Sequence, residues 1–448
     1  MKRIAVAAIF MICLTVTARA EPPVNGYLYT VGGQRVLHVW GTPAEMGYAH
    51  GFHLGAEIRQ LFRDYVLSLL PPALYEAAHA AIPIFYTWPD DFKQEAAAML
   101  AGLAAGGADP FIPELGRNLD VDDLLVGNAL SDVGGMACST QMAWDTATSV
   151  EPRLRGETAL VRNLDWALDG PNRYLLPDMT IVLVFSPSAA GSHTVAMVSF
   201  PGFVGCLSCM NDRGVAVVLH VASNGTPLWS NDFTPGFVPL GVTLRQALQA
   251  PDADGEMNID TLVTAVADVP RGGGAVLNLI EPRGVTTGDP AVVLEVDNRG
   301  WVLRQPADEA GWYSDVLVAA NTLLKLEPGQ RTGRYALMKQ EITELGGEVT
   351  LGEMWAIAAT VKQVTTLSTT AQTMYFLPAT LEMGVAFTNA DGYSCDKQPV
   401  ALTWDDLTAP PPGLGDDDND DDSVGDDDSP SPAPHSAVQS SGGGQGCG

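Results

Sequence analysis

Basic residues are scarce in this chain. Its 448 residues include 24 Lys and Arg against 53 Asp and Glu, which gives a formal net charge of −29 at pH 7. Nine of the acids are Asp between Asp416 and Asp428, and without these nine the net charge is still −20. A strong excess of negative charge repels polyanions. We therefore exclude nucleic acid as a partner and do not expect binding to an anionic membrane surface.

Long hydrophobic runs are absent after residue 20. Residues 1–20 start with Lys2 and Arg3, continue with an apolar run over residues 4–16, and end in a small-x-small sequence. This order is typical of a secretory signal peptide, and the run is too short to span a membrane comfortably. We interpret residues 1–20 as a signal peptide and expect an exported protein, either secreted, periplasmic or at the cell surface.

Cysteine is also scarce. Cys13 leaves with the signal peptide, and five cysteines remain: Cys138, Cys206, Cys209, Cys395 and Cys447. Five is an odd number, so at least one thiol is unpaired within the chain. An oxidising compartment would allow a disulfide among Cys206, Cys209 and Cys395. For the C-x-x-C pair, a local disulfide and two plain core cysteines are both open.

The usual sequence signatures of metal and phosphate sites are incomplete. His50 and His53 lack an evident third ligand, so we expect a packed or surface pair rather than a zinc site. Residues 272–274 are three glycines, but the Lys-Ser/Thr of a phosphate loop does not follow. We therefore expect neither a metal nor a cofactor.

The residues that could act in catalysis lie in the stretch from residue 135 to residue 166. A strand-like run begins at Cys138, and after a charged turn a second run ends in Arg162-Asn163-Leu164-Asp165-Trp166. A hairpin of these runs places Cys138 close to Arg162 and Asp165. A thiol beside a guanidinium and a carboxylate is a candidate activated nucleophile. The structural alternative is a buried cysteine beside an Arg162–Asp165 ion pair.

Several motifs resemble the N-terminal-nucleophile (Ntn) hydrolases, in particular the isopenicillin N acyltransferase family of autoproteolytic acyltransferases and hydrolases. These motifs are Cys138-Ser139, the Arg162–Trp166 box and an earlier Gly-Thr-Pro-x-Glu-Met-Gly-Tyr-x-His-Gly stretch from Gly41. The resemblance extends to the penicillin and bile-salt types of Ntn hydrolase, and acid ceramidase-like amidases would be more distant relatives. The resemblance spans roughly residues 29–395. It implies an α+β fold, an αββα sandwich of two antiparallel sheets with an N-terminal helical prosegment.

The resemblance also implies a division of the chain and a cleavage site. Residues 21–137 would be the helical prosegment (α chain), and residues 138–407 the catalytic domain (β chain). Autoproteolysis would break the bond between Ala137 and Cys138, with residues 134–135 as a bendable glycine pair. Residues 408–448, rich in Pro, Asp, Ser and Gly, indicate a disordered acidic tail, for which a cell-surface tether is one alternative role.

Roles for individual residues follow from the same resemblance. Cys138 would be the nucleophile and its freed α-amino group the base. Asp165 would hold that amino group, and Arg162 would lie beside the sulfur. Two further residues would form the oxyanion hole: Asn321, and either His220 or, as the alternative, Asn224.

Two departures from the family pattern concern residues after the nucleophile. Thr322 follows Asn321 where many relatives carry His. Bile-salt-type relatives carry a late Arg near the site, whereas the last Arg of this chain is Arg334. These departures leave the substrate and the electrostatics of the site open.

Local patterns predict the order of helices and strands. A hairpin over residues 27–40 precedes a helix that starts with the capping box of Thr42 and Glu45 and extends to Leu70. Further helices are predicted over residues 91–105, 121–130, 238–250, 259–269, 332–345 and 351–361, and the chain is rich in strands from Cys138 onward.

The predicted function is hydrolysis of a linear amide, or acyl transfer to an amine, through a Cys138 thioester. Hydrolysis is favoured because an exported enzyme meets water and no acyl-coenzyme A. The small-molecule substrate would be an N-acyl amino acid, a lactam-type amide or a lipid amide. Two alternatives remain open: a conventional secreted cysteine protease, and a non-catalytic surface protein with an acidic tail.

Overall fold

A computed structural model describes residues 22–132, 137–167, 174–222, 236–250, 257–328, 333–366 and 368–409. The predicted signal peptide, the glycine pair at 134–135, Asn224 and the tail from residue 410 lie outside these ranges. Within the described ranges, the helices are too short or too polar to cross a membrane.

The strands fall into two main sheets and one short hairpin. In chain order they are β1 Gly26–Val31, β2 Gln34–Gly41, β3 Phe111–Ile112, β4 Arg117–Asn118, β5 Ala137–Ala143, β6 Ala159–Ala167, β7 Ile181–Pro187, β8 Val195–Ser199, β9 Ser208–Asn211, β10 Ala216–Ala222, β11 Gly274–Ile280, β12 Ala291–Val296, β13 Trp301–Arg304, β14 Val316–Ala319, β15 Ser368–Leu377, β16 Glu382–Phe387 and β17 Val400–Leu402.

The helices are α1 Pro43–Leu61, α2 Leu67–Leu69, α3 Pro72–Phe85, α4 Asp90–Ala105, α5 Val121–Ala129, α6 Leu175–Asp178, α7 Leu240–Gln249, α8 Ile259–Val266, α9 Gly333–Glu344, α10 Leu351–Thr360 and α11 Trp404–Thr408. Together with the two main sheets they make an α+β fold, as predicted. The predicted helices agree with these bounds to within a few residues.

The larger sheet has nine strands in the order β1-β2-β7-β8-β9-β10-β11-β12-β13, and the smaller has six in the order β14-β5-β6-β15-β16-β17. The expectation of two purely antiparallel sheets is wrong at one place, because β2 and β7 pair in parallel. The chain leaves the sheet after β2 through the helices of the N-terminal segment. After β5 and β6 of the other sheet it returns beside β2 in the same direction, and a parallel pair requires such a long crossover.

The N-terminal segment is part of the larger sheet rather than a helical layer added to it. Strands β1 and β2 form its edge, and Val36 and Leu37 of β2 are completely buried. A break before Cys138 would therefore leave residues 22–137 joined to the remainder by backbone hydrogen bonds between β2 and β7 and by a shared core.

Helix α1 begins as predicted, with the Thr42 side chain and the Glu45 carboxylate forming both halves of a capping box. A π-helical turn over residues 62–66 separates α1 from α2. Glycine allows close packing of α1 on α4, since a Cβ on Gly51 would lie 1.9 Å from the carbonyl oxygen of Met99. Helix α3 is absent from the sequence prediction: the prolines at 71–72 indicate a stop, but Pro72 occupies the first helical position, where proline is favoured.

The two sheets face each other, and helices cover their outer faces. His220 of β10 reaches Thr140 of β5 across the sandwich, with 2.6 Å between Nε2 and Oγ1. Helix α7 packs on β8 and β9, while α9 and α10 pack on β5, β6 and β14. A second apolar cluster fills the space between the six-stranded sheet and α9 and α10. Cys138, near the start of β5, lies where the two sheets meet.

Candidate active site

The predicted hairpin of β5 and β6 is present. Its register pairs Cys138 with Leu164, Thr140 with Arg162, and Ala137 with Asp165. Because side chains alternate between the faces of a sheet, Cys138 and Arg162 point to one face and Asp165 to the other. The Arg162 Nη2 donates to the Cys138 sulfur at 3.1 Å, so the predicted contact between guanidinium and thiol is confirmed.

The guanidinium of Arg162 is fully buried and held by neutral groups. Its Nη1 donates to the Leu207 carbonyl and the Ser208 hydroxyl, and its Nη2 also donates to the Leu219 carbonyl at 2.7 Å. Among the described residues no carboxylate forms an ion pair with it, so the alternative of an Arg162–Asp165 ion pair is wrong. A buried cation without an anion is costly, and the nearest group that can become an anion is the Cys138 thiol.

The Cys138 thiol is also fully buried, and its sulfur lies 3.8 Å from the Leu219 carbonyl oxygen. Burial raises the pKa of this thiol, the Arg162 guanidinium opposes that rise, and the Asp165 carboxylate adds to it. The resting sulfur is therefore a thiol at neutral pH. A base must take its proton before it can attack a carbonyl.

Asn321, a predicted oxyanion donor, contacts the nucleophile through its carbonyl oxygen. Its Oδ1 accepts from the backbone N–H of Cys138 at 2.7 Å, and its Nδ2 donates to the Val221 carbonyl at 2.7 Å. In the uncut chain Asn321 thus orients the nitrogen that would become the α-amino group. Its role as an oxyanion donor stays a prediction.

Asp165 is connected to the Cys138 nitrogen only indirectly, through Arg334 and Asn321. Arg334 bridges Asp165 and Asn321, since its Nη1 donates to Asp165 and its Nη2 donates to the Asn321 Oδ1 at 2.8 Å. The Thr370 hydroxyl donates to the other Asp165 oxygen at 2.5 Å. Burial raises the pKa of Asp165, and Arg334 and Thr370 oppose the rise. The predicted contact of Asp165 with the freed amino group stays a prediction.

Arg334 is the residue of this site to which the sequence assigns no role. The sequence gives one indication of a role for Arg334, because it is the last Arg of the chain and follows Asn321 by 13 residues. The late Arg of the family pattern stands elsewhere along the chain, so the sequence alone does not assign Arg334 to the site. The structure places Arg334 on the first turn of α9, within hydrogen-bond distance of both Asp165 and Asn321.

His220 lies near the site, but its ring nitrogens are engaged elsewhere. Nδ1 donates to the Ala320 carbonyl at 3.2 Å, and Nε2 accepts from the Thr140 hydroxyl and, at 3.3 Å, from the Asn278 amide. Burial holds the pKa of His220 well below its usual value, so the ring is neutral. This arrangement leaves no N–H of the ring for an oxyanion at Cys138. Asn224 lies outside the described residues, and the choice between the two stays a prediction.

Cys206, Cys209, His50 and His53 have structural partners. Cys206 and Cys209 form a disulfide, which was one of the two alternatives, and Cys395 is a buried free thiol. His50 accepts from the Gly202 N–H at 3.0 Å and His53 donates to the Gly26 carbonyl at 3.2 Å, so they form a packed pair as expected.

One cluster in the described ranges has ligand types that suit a cation: His79, Asp120 and Asp122. Arg117 already lies 3.4 Å from an Asp120 carboxylate oxygen and 2.6 Å from one of Asp123. The Arg117 guanidinium therefore already balances negative charge that a bound cation would otherwise balance.

An apolar pocket that is open to solvent lies between the N-terminal segment and the rest of the protein. Tyr65 and Leu130 line it from the N-terminal side, and Trp166 and Phe200 line it from the other. Trp166 follows Asp165 on β6, and its ring packs edge-on against Phe200 with 5.9 Å between centroids. Leu164 is the residue of β6 that pairs with Cys138, and Trp166, which lines the pocket, follows it by two residues.

Comparison with known proteins gives distant likenesses. No family model matches the chain. It is 27% identical over 267 residues to an uncharacterized protein of Archaeoglobus fulgidus, covering 53% of this chain and 40% of that protein. It is 26% identical over 241 residues to protein dcd1B of Dictyostelium discoideum, covering 50% of this chain and 45% of that protein. The matched part of the chain thus spans less than half the length of these two relatives.

Three solved structures are similar to part of this chain. The Caenorhabditis elegans ortholog of N-acylethanolamine-hydrolyzing acid amidase is 18% identical, with a TM-score of 0.39, 54% of this chain and 93% of that chain covered. Penicillin V acylase from Agrobacterium tumefaciens is 11% identical, with a TM-score of 0.36, 60% and 88% covered. A mutant conjugated bile acid hydrolase from Clostridium perfringens is 12% identical, with a TM-score of 0.34, 60% and 92% covered.

Proposed function

We propose that this chain is an exported Ntn-type amidohydrolase that cleaves linear amides through a Cys138 thioester. The observation that carries the proposal is the fully buried Arg162 guanidinium, which lacks a carboxylate partner among the described residues and lies 3.1 Å from the Cys138 sulfur. A buried guanidinium without an anion is costly, and the equally deep Arg245 has Glu95 as its partner. A thiolate or thioester-forming sulfur supplies the missing negative charge during reaction.

The first step is cleavage of the chain by its own nucleophile. The Cys138 sulfur attacks the Ala137 carbonyl carbon, the peptide C–N bond breaks, and the Cys138 nitrogen takes the proton. Water then hydrolyses the resulting thioester, which frees the Ala137 carboxylate and the Cys138 thiol. The hydrogen bond from the Cys138 N–H to Asn321 supports this step, because it holds the leaving nitrogen in place.

The second step uses the new amino group. Its unperturbed pKa is about 8, so a neutral fraction is present at neutral pH and can take the thiol proton. The Asn321 oxygen accepts one N–H, and the nearby Arg334 cation disfavours a second positive charge on the nitrogen. The thiolate attacks the substrate carbonyl, the amine leaves with a proton, and water releases the acid from the thioester.

The apolar pocket favours an amide whose acyl group is apolar. Its lining combines aromatic and aliphatic side chains from both parts of the chain. Such a lining binds a hydrocarbon or aromatic acyl group by removing its surface from water. Of the substrates that the sequence left open, lipid amides and N-acyl amino acids with apolar acyl groups fit best.

Export is part of the proposal. The Cys206–Cys209 disulfide supports it, because structural disulfides form and persist in oxidising compartments. The conventional cysteine-protease alternative needs a histidine next to the thiol, whereas in the described part of the chain no histidine forms a hydrogen bond with Cys138.

The test is intact-mass analysis of the purified protein and of Cys138→Ala and Cys138→Ser. We expect wild type to consist of two chains broken between Ala137 and Cys138. Cys138→Ala abolishes the break, and Cys138→Ser only slows it. Cys395→Ala, which alters a second buried free thiol of the described chain, is the matched control and cleaves like wild type.

The same samples are assayed with a panel of N-acyl amines and N-acyl amino acids of increasing acyl length. Turnover should require both Cys138 and the break, and should rise with the apolar surface of the acyl group. A single unbroken polypeptide that turns these substrates over, or undiminished turnover by Cys138→Ala, excludes the proposal.

A further inference from the structure

The disulfide between Cys206 and Cys209 closes a very short loop at the start of β9. Both cysteines and the two residues between them, Leu207 and Ser208, are buried. A cross-link over three positions leaves these two residues little freedom, and a reduced loop would regain part of it. The proposed reaction uses neither sulfur of the bridge.

The two enclosed residues are the ones that hold Arg162. The Arg162 Nη1 donates to the Leu207 carbonyl and to the Ser208 hydroxyl. The same Leu207 carbonyl also accepts from the Leu219 N–H at 2.9 Å. The second nitrogen of the guanidinium contacts the Cys138 sulfur and the Leu219 carbonyl. The planar group therefore spans from the disulfide loop on one side to the nucleophile on the other.

We propose that the Cys206–Cys209 disulfide is a positioning element that holds the Arg162 guanidinium against the Cys138 sulfur. This inference rests on the proposed function. An arginine side chain has several rotatable bonds, and its fork gains specificity only when the acceptors are fixed in advance. The bridge fixes two acceptors at Nη1, and the rigid group then brings Nη2 to the sulfur.

The surroundings of the loop are anchored independently of the bridge. The Asn128 side chain of α5 accepts from the Val204 and Gly205 N–H groups at 2.8 and 3.2 Å. The Cys206 N–H donates to the Gly241 carbonyl at 2.8 Å. Loss of the disulfide should therefore leave the preceding turn in place, while Leu207 and Ser208 would be held only by their pairing with Val218 and Leu219 of β10.

The test compares wild type with the double variant Cys206→Ala/Cys209→Ala and with Ser208→Ala, which keeps the bridge but removes one acceptor. Cys395→Ala is the control for loss of a buried sulfur elsewhere. Chain cleavage, the pH dependence of kcat/KM, and the rate of inactivation by iodoacetamide with peptide mapping of Cys138 are measured for each. Circular dichroism and thermal melts report folding.

We expect the double variant to be cut, to fold, and to show a pH profile and Cys138 alkylation profile shifted to higher pH by about one unit. One unit lowers the thiolate fraction about tenfold, and the higher nucleophilicity of a more basic thiolate restores about threefold, so alkylation at neutral pH should slow about three- to fourfold. Ser208→Ala should shift the profiles in the same direction, by less, and Cys395→Ala should not shift them.

Unchanged pH profiles in a double variant with a lowered melting temperature would overturn the inference, because the bridge would then only stabilise the fold. If the double variant does not fold, an unchanged profile in Ser208→Ala overturns it equally, and a shifted one supports it. Failure of the proposed function is distinct, since wild type itself would then show neither the chain break nor Cys138-dependent turnover.

Discussion

The substitution Arg162→Met tests the central contact of the site. Methionine fills much of the buried volume but removes the charge and the donor that lies 3.1 Å from the Cys138 sulfur. The effects of burial and of Asp165, which already raise the pKa of the thiol in the native protein, then lose the main group that opposes them. We expect the thiol of the variant to titrate at still higher pH and the reaction to slow at neutral pH.

The size of the effect follows from the geometry. Two unit charges about 4 Å apart interact by about 4 kcal/mol at an effective dielectric constant of about 20. Adjacent opposite charges shift pKa values in proteins by about 1–3 units, and a shift of about 2 units lowers the thiolate fraction about 100-fold. A more basic thiolate attacks faster, with a Brønsted coefficient of about 0.4–0.5, which restores about eightfold. The net expectation is a loss of about tenfold at neutral pH that shrinks as the pH rises.

The assay is the pH dependence of kcat/KM and of Cys138 alkylation, measured on the cleaved form of the variant. A suitable control replaces another fully buried arginine. In the double variant Arg245→Met/Glu95→Gln both members of a buried ion pair become neutral, which keeps the cost in stability small. This control should leave both pH profiles unchanged.

A folded Arg162→Met protein with the wild-type rate and the wild-type pH profile would refute the reasoning. The guanidinium would then be a packing group whose charge does not act on the sulfur. A changed thermal stability with unchanged pH profiles would mean the same, because three buried acceptors lose a donor in this variant whatever its role in the reaction.

Three further results are expected. Asp165→Asn leaves Arg334 without its carboxylate partner, at a stability cost of about 1–3 kcal/mol. Chain cleavage of this variant, followed by mass spectrometry over time, should slow by about tenfold or more. Cleavage at the normal rate would contradict the role of the Asp165–Arg334 pair. Burial raises the pKa of Asp132 to about 7, so this group favours folding below the unfolded value of about 4 and loses that contribution as the pH rises through 7. Asp132→Asn is therefore tested by urea titration in the uncut Cys138→Ala background. It should raise the free energy of unfolding by up to about 4 kcal/mol at pH 8 and by little at pH 4. An equal effect at both pH values would contradict the raised pKa of Asp132. The two chains of the cut protein should co-elute in gel filtration and separate only in denaturant, because β2 pairs with β7; separation in plain buffer would show that this pairing is too weak.

Local structure was predictable where neighbours along the chain supply the determinants. The Thr42–Glu45 capping box starts α1 as the sequence indicates, and β5 and β6 pair as the predicted hairpin, although residues 144–158 connect them instead of a short turn. That hairpin alone brings Cys138 and Arg162 together, since the two strands are adjacent both in sequence and in the sheet. Helix α3 shows where local patterns become ambiguous, because two prolines can equally end one helix and start the next.

The partners of the site residues needed the tertiary structure. Asp165 pairs with Arg334, which is 169 residues away, and the Cys138 N–H with Asn321, 183 residues away. The ion-pair alternative joins Asp165 to the wrong arginine, because Arg162 is the nearer one along the chain. The alternation of side chains across β6 directs Arg162 and Asp165 to opposite faces, and only the packing of the sheets decides what each face meets.

By itself the sequence determined that the protein is acidic and that its cysteine nucleophile candidate stands beside an arginine, while the α+β class was implied by the family resemblance. The first two are properties of composition and of one local hairpin. The tertiary structure alone decided that β1 and β2 join the larger sheet, that Arg334 belongs to the site, and that the Cys206–Cys209 loop holds Arg162. The physical reason is that strand order and buried hydrogen bonds are chosen by the free energy of the whole packed core, which no short segment of the chain contains.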